Sequence, residues 1–181
     1  MTAPTLYGKR VVLRSPKRED ASARQKYGWH ADIELGFGHL SETREMTAAE
    51  AREWYENVEA ELSDTYWAIE VAGELAGVIF LHSLKEKDRK ARLAIGLFAP
   101  SLTGQGFGTE ATQLVLGHAF LTLQLHRVDL RVLAFNEMAI ASYRKCGFIV
   151  EGRERDSCRI EDTWHDDLMM SVLDREYRND I

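Results

Sequence analysis

Apolar positions along this chain switch between a spacing of three or four and a spacing of two, and the switches divide it into elements. Residues 9–13 read as a first strand and residues 19–30 as a polar helix. Thr47 followed by Glu50 is a capping-box signature, and Ala51, Trp54, Val58 and Leu62 then line the inner face of the helix it opens. Residues 66–71 and 75–84 flank Ala72-Gly73-Glu74 as a hairpin, and residues 92–98 form a further strand. Helical spacing returns over 109–123, where Ala111, Leu114, Val115, Ala119, Phe120 and Leu123 share a side. Val128, Leu130, Val132 and Ala134 then alternate through 127–134. A short helix over 137–145 follows Asn136, a good cap, and stops before Gly147, which suits a left-handed end. Residues 149–151 and 164–173 supply the last strands. The order is α/β: a mixed sheet with mostly antiparallel N-terminal strands and one strand-helix-strand crossover.

The crossover carries the chemistry. Between its first strand and its helix stands Ser-Leu-Thr-Gly-Gln-Gly-Phe-Gly-Thr, with Gly104, Gly106 and Gly108 at alternate positions. Glycine permits tight turns and close ligand approach, and the free amides of a new helix sit at the positive end of its dipole. That is a phosphate or pyrophosphate site which needs no lysine. A P-loop is excluded, because no Lys-Ser or Lys-Thr pair follows these glycines. The dinucleotide fingerprint fails as well, since the third glycine arrives one residue early. Taken alone, the glycines also fit an ordinary strand-to-helix turn.

Composition narrows the field. The chain has 181 residues, 45% of them apolar, which suits a single domain over 1–181 with its own core. No stretch is long and apolar enough to span a membrane, and the first residues lack the pattern of a signal peptide. Cys146 and Cys158 make no disulfide framework, so a reducing cytoplasm is the expected location. A formal charge of −6 argues against a nucleic-acid partner.

Taken together, Ile95-Gly-Leu-Phe98, Gly104-Gln-Gly-Phe-Gly-Thr-Glu-Ala111, Leu125-His-Arg-Val-Asp-Leu-Arg131 and Asn136-x-x-Ala-Ile-x-x-Tyr-Arg-Lys-x-Gly-Phe148 resemble the GNAT superfamily of N-acetyltransferases. Glu151-Gly152 and Trp164-x-Asp166 extend the likeness. Its nearest branch is that of the ribosomal-protein alanine and spermidine acetyltransferases. The resemblance implies a GNAT fold with the acyl-CoA site in the crossover, acetyl-CoA as co-substrate, no metal, a primary-amine acceptor and a homodimer. It places the pantetheine arm along Leu97, Phe98 and Ala99, and the pyrophosphate near Gly104 on the amides of Gln105, Gly106, Phe107, Gly108 and Thr109. Asn136 becomes a cofactor contact as well as a cap. Lys145 joins as a cation near the phosphates, although Lys145 and Arg144 also suit the helix dipole as plain surface. Thr103 departs from the pattern, which has Gln or Arg there.

Acetyl transfer to an amine requires a held thioester, a neutral nucleophile, a stabilised oxyanion and a proton for the leaving thiolate. The resemblance assigns that proton to Tyr143, a phenol that stays protonated at neutral pH. Attack is then direct, in a ternary complex. The base is less clear, because Ala94 occupies the position where many relatives carry Glu. An amine of pKa near 10 is only about one part in a thousand neutral at pH 7, a handicap of about 4 kcal/mol. That favours peptide α-amines over polyamines. Glu70, His82, Glu34 and Glu42 are the candidate bases.

Acceptor recognition in this fold falls to the first helices and their connection, here residues 32–43, and to the loop between the last strands. The acidity of Asp32, Glu34 and Glu42, and of the run 159–163, suits a cationic acceptor. His165-Asp166-Asp167 offers no metal site, because alternate strand residues face opposite sides. Residues 85–92 read as a solvated turn, and Cys146 as a small core residue. The competing function, kept open by Ala94 and Thr103, is a non-catalytic acyl-CoA sensor or interaction module.

Overall fold

The computed structural model describes residues 2–38 and 42–177. One eight-stranded sheet organises them, in the order β1-β2-β3-β4-β5-β6-β8-β7. Its strands are β1 (Leu6–Tyr7), β2 (Val11–Arg14), β3 (Tyr66–Val71), β4 (Glu74–Lys85), β5 (Lys90–Leu97), β6 (Arg127–Leu133), β7 (Ile149–Ile160) and β8 (Thr163–Leu173). All neighbours run antiparallel except β5 and β6. The helices are α1 (Asp20–Tyr27), α2 (Ala31–Gly36), α3 (Ala48–Ala60), α4 (Phe107–Gly117) and α5 (Glu137–Lys145). Among the described residues, no helix is long and apolar enough to cross a membrane.

Strand alternation sends Val128, Leu130 and Val132 of β6 and Ala91 and Leu93 of β5 to one face, where α4 contributes Ala111 and Val115 and α5 Ile140. That is the main core. The other face carries a smaller cluster in which Phe98, Ala68 and Leu75 meet Tyr27 and Trp54 of α1 and α3. The capping box expected at Thr47 and Glu50 is present. On α3 the buried residues are Ala51, Tyr55 and Val58, so Tyr55 joins the expected face, while Trp54 packs edge-on to Phe98 at 5.6 Å.

Three elements differ most from the sequence reading. The helix expected over 109–123 begins at Phe107, and its end, His118–Thr122, winds as a π-helix. The connection over 32–43 contains α2 and is closed at its neck by paired Trp29–Arg44 backbone bonds of 2.8 and 3.0 Å. His39, Leu40 and Ser41 within it lie outside the described residues. The strand expected over 149–151 continues to Ile160, carried by pairing with β8 through two irregularities in register. The acidic run 159–163 is therefore the tip of a hairpin.

One polar network fastens the N-terminal half. Arg14 of β2 donates to both oxygens of Asp20, at 2.8 and 2.9 Å, and to Glu70 of β3 at 2.6 Å. Asp20 is only 4% exposed, so removing its partner strands a buried charge. Arg14→Met should lower the unfolding free energy by about 3 kcal/mol, read from urea denaturation; an unchanged midpoint would show that the network holds nothing.

Candidate functional site

Parallel pairing between β5 and β6 lasts for only Lys90↔Arg127, Ala91↔Val128 and Arg92↔Asp129. Beyond Arg92 the strands part, and the wedge between them opens into a cleft of about 1040 Å³. Ala94, Ile95, Gly96 and Leu97 form one wall, and Arg131, Val132 and Leu133 the other. The N-terminus of α4 and one side of α5 close it on the main-core side. α2 lies across the opposite face. There Gly36 backs onto the Asn136 amide, the Phe37 ring lies over Gly96, and Gly38 backs onto the Cys158 sulfur.

The mouth is built for an anion. Gly104 and Gly106 take left-handed φ of 71° and 87°, where a side chain is strained. The first bond of α4 runs from the Glu110 amide to the Gly106 carbonyl at 3.0 Å, so the amides of Phe107, Gly108 and Thr109 have no partner within the helix. Arg10, from the turn between β1 and β2, holds this loop. It donates to the Gln105 carbonyl at 3.0 Å, lies 4.9 Å from the Phe107 ring and pairs with Glu110 at 3.4 Å. Thr103 lines the cleft, but its hydroxyl donates to the Pro100 carbonyl at 2.7 Å and so finishes a turn.

α4 and α5 are fastened to each other. The Thr109 and Ser142 hydroxyls meet at 2.8 Å, and the Cys146 thiol reaches the Thr109 carbonyl at 3.5 Å. Asn136 caps α5 by accepting from the Ala139 amide at 3.1 Å. One turn further along, Tyr143 packs on the core, edge-on to Phe148 at 5.8 Å, and lines the cleft. Among the described residues its hydroxyl makes no hydrogen bond. Burial pushes this phenol up to about 12, so it is protonated at every physiological pH. The same burial pushes the Cys146 thiol, one turn away, up to about 12.

Of the cofactor residues expected from sequence, Leu97, Gly104, Gln105, Gly106, Gly108, Thr109, Asn136 and Lys145 line the cleft together with Tyr143. Phe98, Ala99 and Phe107 do not. Phe98 belongs to the smaller core, with its amide bonded to the Ala76 carbonyl at 3.0 Å; Ala99 is buried; Phe107 turns its ring into the main core. Of the candidate bases only His82 is in the cleft wall. Glu70 is taken by Arg14, and Glu34 and Glu42 are not among the lining residues.

Sequence reasoning did not find two features. Asp167, set aside there with its neighbours, lines the cleft opposite Leu133 on β8, while Asp32, named there among the acidic residues of the connection, lines it from α2. Arg10 carried no local signal, since only the fold brings it to a loop 95 residues away. Among the described residues, no group of three or more His, Cys, Asp or Glu is placed to hold a metal ion.

Both the sequence and the fold of this chain recur in known proteins. The acetyltransferase (GNAT) domain model matches residues 10–149. Spermidine N(1)-acetyltransferase of Escherichia coli (strain K12) is 32% identical over 144 residues, 72% of this chain and 77% of that one. A Bacillus subtilis (strain 168) protein carrying the name ribosomal N-acetyltransferase YdaF is 33% identical over 108 residues, 60% of this chain and 58% of that one. In fold, the chain matches the crystal structure of Vibrio cholerae spermidine N-acetyltransferase in complex with CoA and spermine, with a TM-score of 0.75 at 24% identity over 94% of this chain and 99% of that one. The domain model spans most of the chain and the sequence match agrees with it: the chain belongs to the GNAT family of N-acetyltransferases.

Proposed function

We propose that the cleft takes acetyl-CoA from the α4 side and a cationic primary amine from the α2 side, and joins them by direct attack. The observation that carries this reading is the unpartnered start of α4 at the mouth of the wedge. Its amides, from Gln105 to Thr109, would hold the pyrophosphate, and Lys145 supplies a cation on the same wall. Asn136 keeps its amide nitrogen for the cofactor while its oxygen caps α5. Leu97 offers its strand edge to the pantetheine, while the Phe98 and Phe107 side chains are packed in the two cores. Bound acetyl-CoA supplies the activated acyl group. The protein supplies position, dryness and a proton.

Tyr143 is the proton donor. A phenol pushed up to about 12 looks too weak an acid for an ordinary thiolate. Cys146, one turn away, shows that a thiol buried in this neighbourhood is lifted to about 12 as well. A coenzyme thiolate in equally dry surroundings is raised in the same direction, which brings its basicity toward that of the phenol.

The acceptor half is negative in effect. Arg92 is tied to Asp129 at 2.7 Å and Arg131 to Glu154 at 2.8 Å, whereas Asp32 and Asp167 have no ion pair among the described residues. Two free carboxylates suit an ammonium. A polyamine is accordingly the reading this geometry supports best, and spermidine is the acceptor that the names of two relatives carry. A protein N-terminus is the second reading. It is favoured by Phe135 and Met138, apolar side chains 42% and 56% exposed on the cleft lining, which a peptide would cover. The sensor alternative gives way to catalysis because the Tyr143 hydroxyl is unspent in the cleft.

Tyr143→Phe should keep CoA affinity in calorimetry while kcat falls on the order of 10²-fold or more; an undiminished kcat would remove Tyr143 from its role. Asp32→Asn and Asp167→Asn should each raise KM for spermidine about tenfold and leave that for acetyl-CoA unchanged. If an alanine-initiated peptide outperforms spermidine in thiol release and both variants leave KM for spermidine unmoved, the acceptor is a protein N-terminus.

A further inference from the structure

The reaction needs a group to take a proton from the ammonium, and position 94, inside the wedge, is an alanine. The cleft lining offers four other proton acceptors among the described residues: Asp32, His82, Glu137 and Asp167. As a class, carboxylates are far weaker bases than imidazole, which is matched to taking a proton from an amine near neutral pH. We propose that His82 is the general base, working from β4 on the amine side of the wedge.

Register supports the placement. Phe80 lies opposite Ala94 and His82 opposite Arg92, so His82 and Ala94 are diagonal neighbours on one face of the sheet. Such neighbours stand about 7–8 Å apart, less between side chains, a gap that one water spans. This is the face on which Phe37 covers Gly96, remote from the main core. The His82 Nδ1 lies 3.0 Å from the Ser83 hydroxyl, which leaves Nε2 as the nitrogen without a protein partner among the described residues. The Phe80 ring, 5.7 Å away, and the rest of the strand desolvate the imidazole.

The charged groups that act on His82 come from three elements. Burial first, then Arg92 of β5, hold the imidazole below its ordinary pKa; Asp129 of β6 and Glu61 at the end of α3 oppose them weakly. The result is a neutral imidazole at pH 7, ready to accept. Arg92 is itself held by Asp129, so it stays beside His82 while the ring changes charge.

The proton count closes. The ammonium gives one proton through water to Nε2, and the freed lone pair forms the C–N bond as the C–S bond breaks. The departing thiolate takes the Tyr143 proton, and the second proton shed by nitrogen returns to the phenolate. Imidazolium releases its proton to solvent. Each turnover thus makes one amide, one thiol and one solvated proton from an ammonium and a thioester.

The proposal rests on the amine-acetylating reading above, and its test separates the two. With spermidine, or an alanine-initiated peptide if spermidine is inert, His82→Ala and His82→Gln should bind CoA normally yet lose on the order of 10²-fold in kcat at pH 7. That loss should shrink as pH rises toward the amine's own pKa, where solvent supplies neutral amine. Added imidazole should rescue His82→Ala, and adding Ala94→Glu to it should restore turnover in part. Independently of turnover, the His82 ring resonance should titrate below 6.5 and move when acceptor is added. A deficit that is absent, or constant with pH and unrescued, overturns the role of His82 alone. Failure of the wild-type enzyme to release thiol with any amine overturns the proposed acceptor chemistry, and this proposal with it.

Discussion

Everything in this molecule that bears on chemistry follows from two parallel strands that stay together for three residue pairs and then part. A continuous sheet between β5 and β6 would satisfy its own backbone groups and leave no room. The split instead gives a slot in the sheet, flanked by α4 and α5 on one face and by α2 on the other, with unpaired strand edges along it. The rest of the fold keeps that slot open and rigid. β8 bonds to β6 along Arg127–Leu133, and β4 to β5 along much of its length, so each wall is fixed from outside.

The two faces then take different duties. On the main-core face, α4 and α5 are joined through Thr109, Ser142 and Cys146, so the anion-binding amides and the phenol move as one body. Arg10 anchors the glycine loop from a distant turn. On the other face, α2 and Phe37 cross the slot from the Gly96 wall to the Cys158 strand, with few buried residues of their own. A rigid half suits a cofactor common to a family; a lightly packed half suits an acceptor that differs between its members.

How much of this the sequence disclosed depended on where the signal lay. α5 ran from Glu137 to Lys145 as read, because Asn136 and Gly147 mark its ends locally. The glycine loop was legible for the same reason. β7 was cut short at residue 151 because most of the strand is solvated and its register shifts twice, so only its partner β8 reveals it. Phe98 and Phe107 sit beside cleft residues in sequence, yet alternation and helix phase turn their side chains into the two cores. Asp167 and Arg10 were hidden because each acts across the fold.

The central claim is that the start of α4 is where the pyrophosphate of coenzyme A binds, and it is best tested on backbone amides. In ¹H–¹⁵N spectra of the intact protein titrated with CoA, the account predicts saturable shifts that are largest at Gln105, Gly106, Phe107, Gly108 and Thr109, with Asn136 and Tyr143 following in step. Saturable binding that leaves those amides still, or no binding by folded protein, would contradict it.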